Sequence, residues 1–185
     1  MIKLFEDAED GGFYFTSDGQ NDLIIRKKII YDGAIPSGNS YALNNLISLY
    51  HLTGNPEFMN SADRLINFFG NEISKAPSAY SYFLKGILRY TNGTVDIILV
   101  GDIDNPKVKE FLEIINNTYI PGVTLLNINE QNKNEMRKLS KFTENIEINP
   151  EKPAIYFCNN FQCSLPIFTT EELEHALSGI NNKQD

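Results

Sequence analysis

The stretch Thr94-Val-Asp-Ile-Ile-Leu-Val100 divides the chain into two halves with different sequence patterns. Its β-branched and apolar residues predict a strand that is buried on both faces. Amphipathic helical patterns precede it, whereas strand and helix patterns alternate after it. We therefore predict two domains, residues 1–92 and 93–181, followed by a disordered tail at 182–185.

The first domain opens with a predicted β-hairpin. Two aromatic or β-branched runs, Gly12–Thr16 and Asp22–Arg26, flank the turn-rich segment Ser17–Asn21. An isolated hairpin is only marginally stable in water, so we expect this one to pack on another element.

Three amphipathic helices follow the hairpin. The first runs from about Ser40 to Thr53, the second starts at Asn55-Pro56, and the third starts at Pro77 and ends at Asn92-Gly93. Asparagine before proline is typical of a helix N-terminus, and glycine often follows a C-terminus. The apolar faces of these helices are wide enough to need further partners, so we expect them to drive association with another copy.

The second domain is predicted to be a small two-layer or three-layer α/β domain with a mainly parallel sheet. The strand that ends at Val100 is followed by a helix capped by Asn105-Pro106 and by a strand at Gly122–Asn127, which together make a βαβ unit. A weak helical pattern covers Asn129–Lys141, Ala154–Cys158 supplies a third strand, and a final amphipathic helix follows. The predicted fold class is thus mixed, α+β and α/β.

Charge and composition exclude several classes of function. The chain has 24 acidic and 16 basic residues and a formal net charge of -8, which opposes binding to a nucleic-acid backbone. The N-terminal segment lacks the zones of a signal peptide, and the longest apolar run, Ile97–Val100, is too short to cross a membrane. We expect a cytoplasmic protein without a nucleic-acid or membrane partner.

Candidate ligand-binding residues lie just before the first long helix. The stretch Asp32-Gly-Ala-Ile-Pro-Ser-Gly-Asn-Ser40 combines turn formers with polar side chains. One interpretation is a polar floor for a ligand such as a sugar, which an aromatic ring and a carboxylate would contact. The alternative interpretation is a helix start with a polar N-cap. The candidates are Tyr31, Asp32, Ser37, Asn39 and Ser40.

Hydrolysis of a glycoside would also need a second carboxylate placed close to Asp32. The acidic residues near the N-terminus are partners only by closeness in sequence, and a solvated acidic segment is the simpler interpretation. They are Glu6, Asp7, Glu9 and Asp10.

Cys158 and Cys163 are the two cysteines of the chain. A turn between them could place the sulfurs across a hairpin, but their spacing neither guarantees nor forbids a disulfide. Two free buried thiols are the default in a cytosolic protein, and the alternatives are a redox-active or regulatory pair and a metal site. His51 and His175 lie in other elements, and we expect His51 to be solvated or stabilised by the dipole at a helix C-terminus. No metal and no cofactor are predicted.

Five motifs together resemble a known family in the order in which they occur. On these motifs the chain resembles the C-terminal part of the spermatogenesis-associated, thioredoxin-domain-containing protein family. The motifs are Gly11-Gly-Phe-Tyr-Phe-Thr16, Asp32-Gly-Ala-Ile-Pro-Ser-Gly-Asn-Ser40, Leu52-Thr-Gly-Asn-Pro56, Val100-Gly-Asp102 and Cys158-x4-Cys163 with Pro166.

The resemblance implies an architecture and a set of partners. Members of the family carry an N-terminal thioredoxin-like domain, a six-hairpin glycosidase-like toroid that resembles the N-acylglucosamine and cellobiose epimerases, and a small α/β tail. The resemblance implies that this chain is a fragment or a truncated member, and that its three helices are the end of an (α/α) toroid. The implied partners are the thioredoxin-like domain, the remaining toroid, another copy of the chain and a sugar.

Three functional hypotheses follow. We favour a noncatalytic interaction domain of a larger redox protein. The second hypothesis is part of a carbohydrate-active site of the epimerase or glycosidase kind. The third is a thiol redox or redox-partner function of Cys158 and Cys163.

Overall fold

The structure is a computed structural model that describes residues 1–19, 24–140 and 143–181. These residues form two compact units. The first comprises the described part of 1–50 together with 55–93, and the second comprises 51–54 together with the described residues from 94 onward. The predicted tail at 182–185 lies outside the described residues.

The first unit is mainly helical, and the three predicted long helices are confirmed. Asn55 caps the second of them as its side chain accepts a hydrogen bond from the backbone N–H of Glu57 at 3.1 Å. The helices are α1 (Ile2–Phe5), α2 (Gly38–Thr53), α3 (Pro56–Lys75) and α4 (Ser81–Asn92), and a 3₁₀ turn at Pro77–Tyr80 precedes α4.

The core of the first unit lies between the apolar faces of the long helices. Leu43 of α2, Leu65 of α3 and Phe83 of α4 are fully buried. Phe69 contacts Phe83 edge to face, with ring centroids 6.3 Å apart. Burial of each such side chain contributes about 1.5–3 kcal/mol. The toroid that the resemblance implies would need helices beyond these three, and it stays a prediction.

The predicted N-terminal hairpin is not confirmed. The described residues form isolated antiparallel bridges, Glu6 with Phe13 and Tyr14 with Lys28, instead of a paired set of strands. Gly11 has a φ of 85°, so the chain turns just before the aromatic run instead of extending into it. Residues 20–23 of the predicted hairpin lie outside the described residues.

The second unit contains a four-stranded sheet of strand order β2-β1-β3-β4. Strand β1 pairs in parallel with β2 and antiparallel with β3, and β3 pairs antiparallel with β4. The elements are β1 (Asp96–Val100), α5 (Pro106–Asn117), β2 (Thr124–Ile128), α6 (Lys133–Leu139), β3 (Ala154–Asn159), β4 (Gln162–Cys163) and α7 (Thr170–Asn181).

The prediction of a mainly parallel sheet is wrong, because β3 runs antiparallel to β1. A parallel third strand would have to start beside Asp96, so the chain would first have to cross the full length of the sheet after β2. Instead β3 starts at the end of the sheet where β1 and β2 finish, and Ala154 pairs with Val100.

Strand β1 is buried on both faces, as its sequence predicts. Ile97 and Leu99 pack into one apolar cluster with residues of α5 and α7. Ile98 and Val100 pack into a second cluster on the opposite face, which also contains Cys158. Asp96 lies on this second face by the alternation of side chains along the strand.

Candidate functional site

The carboxylate of Asp32 caps a helix that lies far from it in sequence. Its Oδ2 atom accepts hydrogen bonds from the backbone N–H groups of Tyr82 at 2.8 Å and Phe83 at 3.0 Å, in the first turn of α4. Its Oδ1 atom accepts the N–H of Ser37 at 2.9 Å. Oδ2 therefore holds the Asp32 segment against the start of α4, whereas Oδ1 closes the loop that leads into α2.

The other polar candidates of this stretch also bond within the first unit. Ser37 Oγ accepts the backbone N–H of Ser40 at 3.1 Å, and the two hydroxyl groups lie 2.9 Å apart. The Asn39 side chain accepts from the N–H of Phe13 at 2.7 Å and donates to the carbonyl groups of Phe13 and Ile29. These contacts are those of a helix N-cap and of a clamp on the N-terminal segment.

Tyr31 differs from the other four candidates because 63% of it is exposed. The structure thus brings Asp32, Ser37 and Ser40 together around the start of α2 but leaves the Tyr31 ring at the surface. The assignment of these residues to a ligand site stays a prediction.

The acidic N-terminal segment contains a partly buried charge cluster. The Asp7 carboxylate lies 2.8 Å from Lys28 Nζ and accepts the Tyr14 hydroxyl at 2.6 Å. Hydrogen bonds from Lys28 and then Tyr14 hold the pKa of Asp7 well below its ordinary value. The bond to Asp7 in turn raises the pKa of Tyr14. The interpretation of a solvated segment is wrong for Asp7, because its carboxylate is part of a structural ion pair.

A second ion pair joins the same segment to α3. Arg64 Nη2 lies 2.5 Å from Glu6 Oε1, and the Glu6 side chain is almost fully buried. Both acidic side chains are thus held by a cation, Asp7 by Lys28 and Glu6 by Arg64. A carboxyl pair with Asp32 for glycoside chemistry stays a prediction.

Cys158 and Cys163 form a disulfide across the β3–β4 hairpin. The two residues are direct cross-strand partners, and their Cα atoms are 4.0 Å apart. Cys158 is buried and Cys163 is exposed. The default expectation of two free thiols is therefore not what the structure shows.

The disulfide closes a tight turn. The two turn residues, Asn160 and Phe161, both have positive φ, 47° and 64°. Such a turn suits the twist of a hairpin, but a bulky residue is unusual in the left-handed region. The Phe161 ring is stacked near the ring of His51, with centroids 6.4 Å apart.

His51 and Asp96 form a buried pair that the sequence reasoning missed. His51 Nδ1 lies 3.2 Å from Asp96 Oδ2, and both residues are at most 5% exposed. Thr94 Oγ1 donates to the other carboxylate oxygen at 3.3 Å. His51 is therefore not solvated, which overturns one of the two roles predicted for it, while stabilisation by the helix dipole stays a prediction. Asp96 in the sequence could have predicted such a pair, because a carboxylate in a strand that is buried on both faces needs a hydrogen-bonding partner.

No group of three or more His, Cys, Asp or Glu residues in the described ranges could hold a metal ion. No helix among those residues is long and apolar enough to cross a bilayer.

Comparison with known proteins gives the family context. No protein-family model matches the chain. The chain is 29% identical to spermatogenesis-associated protein 20 of Rattus norvegicus over 177 aligned residues. These residues are 95% of this chain and 22% of that protein. The similarity supports the family resemblance. The human spermatogenesis-associated protein 20 is 27% identical over 177 residues, which again are 95% of this chain and 22% of that protein.

A more distant relative shows the same relationship. An uncharacterised protein of Caenorhabditis elegans is 24% identical over 90% of this chain and 22% of its own length. The chain thus spans about a fifth of the length of these relatives, and it is homologous to one part of a larger protein.

Proposed function

We propose that this chain is a noncatalytic module of a larger protein, and that its Cys158–Cys163 disulfide is a substrate for a thioredoxin-like dithiol. The observation that carries the proposal is the disulfide that joins the buried Cys158 to the exposed Cys163 across a two-residue turn. Cys163 is exposed, so an incoming thiolate can approach its sulfur from solvent. In a reducing compartment such as the cytoplasm, a disulfide of this kind is transient and is used for regulation.

The polar contacts of the first unit support the noncatalytic part of the proposal. The side chains of Asp32, Ser37 and Asn39 form hydrogen bonds with backbone atoms of the same unit. A catalytic acid or base needs a free position within reach of the substrate. These side chains are better suited to hold the helices and the N-terminal segment in place.

A trapping experiment tests the proposal. The oxidised chain is mixed with a thioredoxin-type protein whose second active-site cysteine is replaced by serine, so that a mixed disulfide cannot resolve. We expect a covalent adduct on Cys163, located by peptide mapping, and no adduct with the Cys163→Ser variant. An adduct that forms only in denaturant would contradict the proposal, because it would show that the folded hairpin is inaccessible.

A sugar-binding function is a second candidate, favoured by exposed aromatic rings in the first unit. Tyr31 is 63% and Tyr41 45% exposed, and Tyr41 contacts the Tyr82 ring at 4.9 Å between centroids. Exposed rings of this kind can stack on the apolar face of a pyranose. Tyr31→Ala is the sharper test, because Asp32→Ala also removes a helix cap. We expect sugars to raise the melting temperature of the chain but not of Tyr31→Ala, and no shift with any sugar would refute this candidate.

We further propose that the first unit binds the remaining toroid helices of the larger protein, or another copy when these are missing. Leu88 and Phe68 expose 60% and 41% of their surface on α4 and α3. Exposed apolar patches on helices favour association. Sedimentation equilibrium over a range of concentrations tests this, and we expect Leu88→Lys to shift the chain toward the monomer.

A further inference from the structure

We propose that the buried His51–Asp96 pair controls how readily the Cys158–Cys163 disulfide is reduced. This inference rests on the proposed function, since it concerns the rate of the same exchange reaction. The pair acts through the charge beside Cys158, and His51 and Asp96 are positioning residues that need not contact the incoming thiol.

Asp96 lies beside Cys158 because of the strand register. The two residues are direct cross-strand partners in the antiparallel β1–β3 pair, so their side chains are on the same face of the sheet. Opposed Cβ atoms in such a pair are about 5 Å apart. Asp96 and Cys158 are 4% and 2% exposed, so little water screens the carboxylate from the sulfur.

His51 reduces the effect of that carboxylate. Its Nδ1 atom is within hydrogen-bonding distance of Asp96 Oδ2, and its ring lies near Phe161 in the turn that the disulfide closes. An imidazole that donates to a buried carboxylate withdraws negative charge from it, and a protonated imidazole neutralises it. His51 therefore lowers the negative potential at Cys158.

The two sulfurs have different roles in the exchange. A thiolate of the reducing dithiol attacks the exposed Cys163 sulfur, the S–S bond breaks, and its electron pair leaves on Cys158. Cys158 then takes up a proton. The second thiol of the reductant attacks the mixed disulfide and releases Cys163, so the dithiol is oxidised to a disulfide while both cysteines become thiols.

The pair controls the step in which the S–S bond breaks and Cys158 leaves as a thiolate. Negative charge develops on Cys158 beside the Asp96 carboxylate, and a thiolate leaves faster when its charge is better stabilised. Removing the Asp96 charge should speed reduction, whereas removing His51 leaves that charge uncompensated and should slow it. The two single substitutions therefore act in opposite directions.

The test measures the second-order rate constant for reduction of the folded, oxidised chain by dithiothreitol at fixed pH and ionic strength, followed by thiol titration. We expect Asp96→Asn to be roughly tenfold faster and His51→Gln roughly tenfold slower than the parent chain, a size set by one charge at this distance. The double variant should reduce at the Asp96→Asn rate. Asp104→Asn and His175→Gln, which make the same chemical changes at exposed positions, should leave the rate unchanged.

The outcomes separate the two proposals. If the pair has only a structural role, both single variants loosen the hairpin and both are reduced faster, which overturns this inference. Equal rates for all variants overturn it as well, while the proposed function stands if the parent chain is reduced under native conditions. If the folded parent chain resists the dithiol, both proposals fail. Circular dichroism of each oxidised variant checks the fold, and the double variant supplies the comparison if His51→Gln alone does not fold.

Discussion

The Asp32 carboxylate accepts the backbone N–H of Tyr82 at 2.8 Å, although the two residues are 50 positions apart in the sequence. This bond places the cap of α4 on a different segment of the chain. The residue at the usual cap position, Tyr80, has no capping side chain. Folding of the start of α4 therefore depends on the loop that contains Asp32.

Replacing Asp32 should destabilise the protein more than the loss of an ordinary helix cap. Asp32→Ala leaves three backbone N–H groups without their carboxylate, so we expect a loss of about 2–3 kcal/mol in the free energy of unfolding. Urea denaturation would show a lower midpoint with an unchanged slope. Asp104→Ala, on an exposed turn, is the control and should change stability by less than about 0.5 kcal/mol.

The Asp7–Lys28 pair should make stability fall at acid pH. The pKa of Asp7 is lowered in the folded state by the bond from Lys28, so its stabilisation is complete above the ordinary value of 3.8 and is lost as the pH falls below it. We expect Asp7→Asn to have lower stability at pH 7 and a smaller further loss between pH 5 and pH 2. Urea titrations at a series of pH values measure this slope. An equally steep acid loss in the variant would show that other carboxylates cause it.

The same cluster predicts an effect at alkaline pH. The bond to Asp7 raises the pKa of Tyr14 above its ordinary value of 10.0, so the neutral phenol stabilises the fold below pH 10 and this contribution is lost as the pH rises through the folded value. Tyr14→Phe should weaken the dependence of stability on pH above about 10. The ultraviolet absorbance of ionised tyrosine, compared between the two chains, should lose one late-titrating group in the variant.

Two helical glycines should respond to alanine with opposite signs. A Cβ atom at Gly86 would lie 2.7 Å from Leu43 Cδ2, where α4 approaches α2 closely, whereas at Gly70 it would meet nothing within 4 Å. Alanine is favoured over glycine in a helix by about 1 kcal/mol, and overpacking costs about 1–3 kcal/mol. We expect Gly70→Ala to raise the melting temperature and Gly86→Ala to lower it. A rise for both would show that Leu43 moves aside at little cost.

Local signals in the sequence determined where most elements lie. The Asn55-Pro56 and Asn105-Pro106 pairs start α3 and α5 with side-chain caps, because a cap acts on N–H groups only two or three residues away. Burial of β1 on both faces follows equally from its continuous apolar run. The sequence by itself also showed the negative net charge and the motifs on which the chain resembles the spermatogenesis-associated family.

Only the tertiary structure decided which distant groups meet. An apolar run has no direction, so the antiparallel orientation of β3 is seen only in its register, in which Ala154 pairs with Val100. The register of β3 then placed Cys158 beside both Cys163 and Asp96. The partner of Asp96 is His51, 45 positions earlier, because a buried carboxylate must find a donor and the fold brings this imidazole within reach.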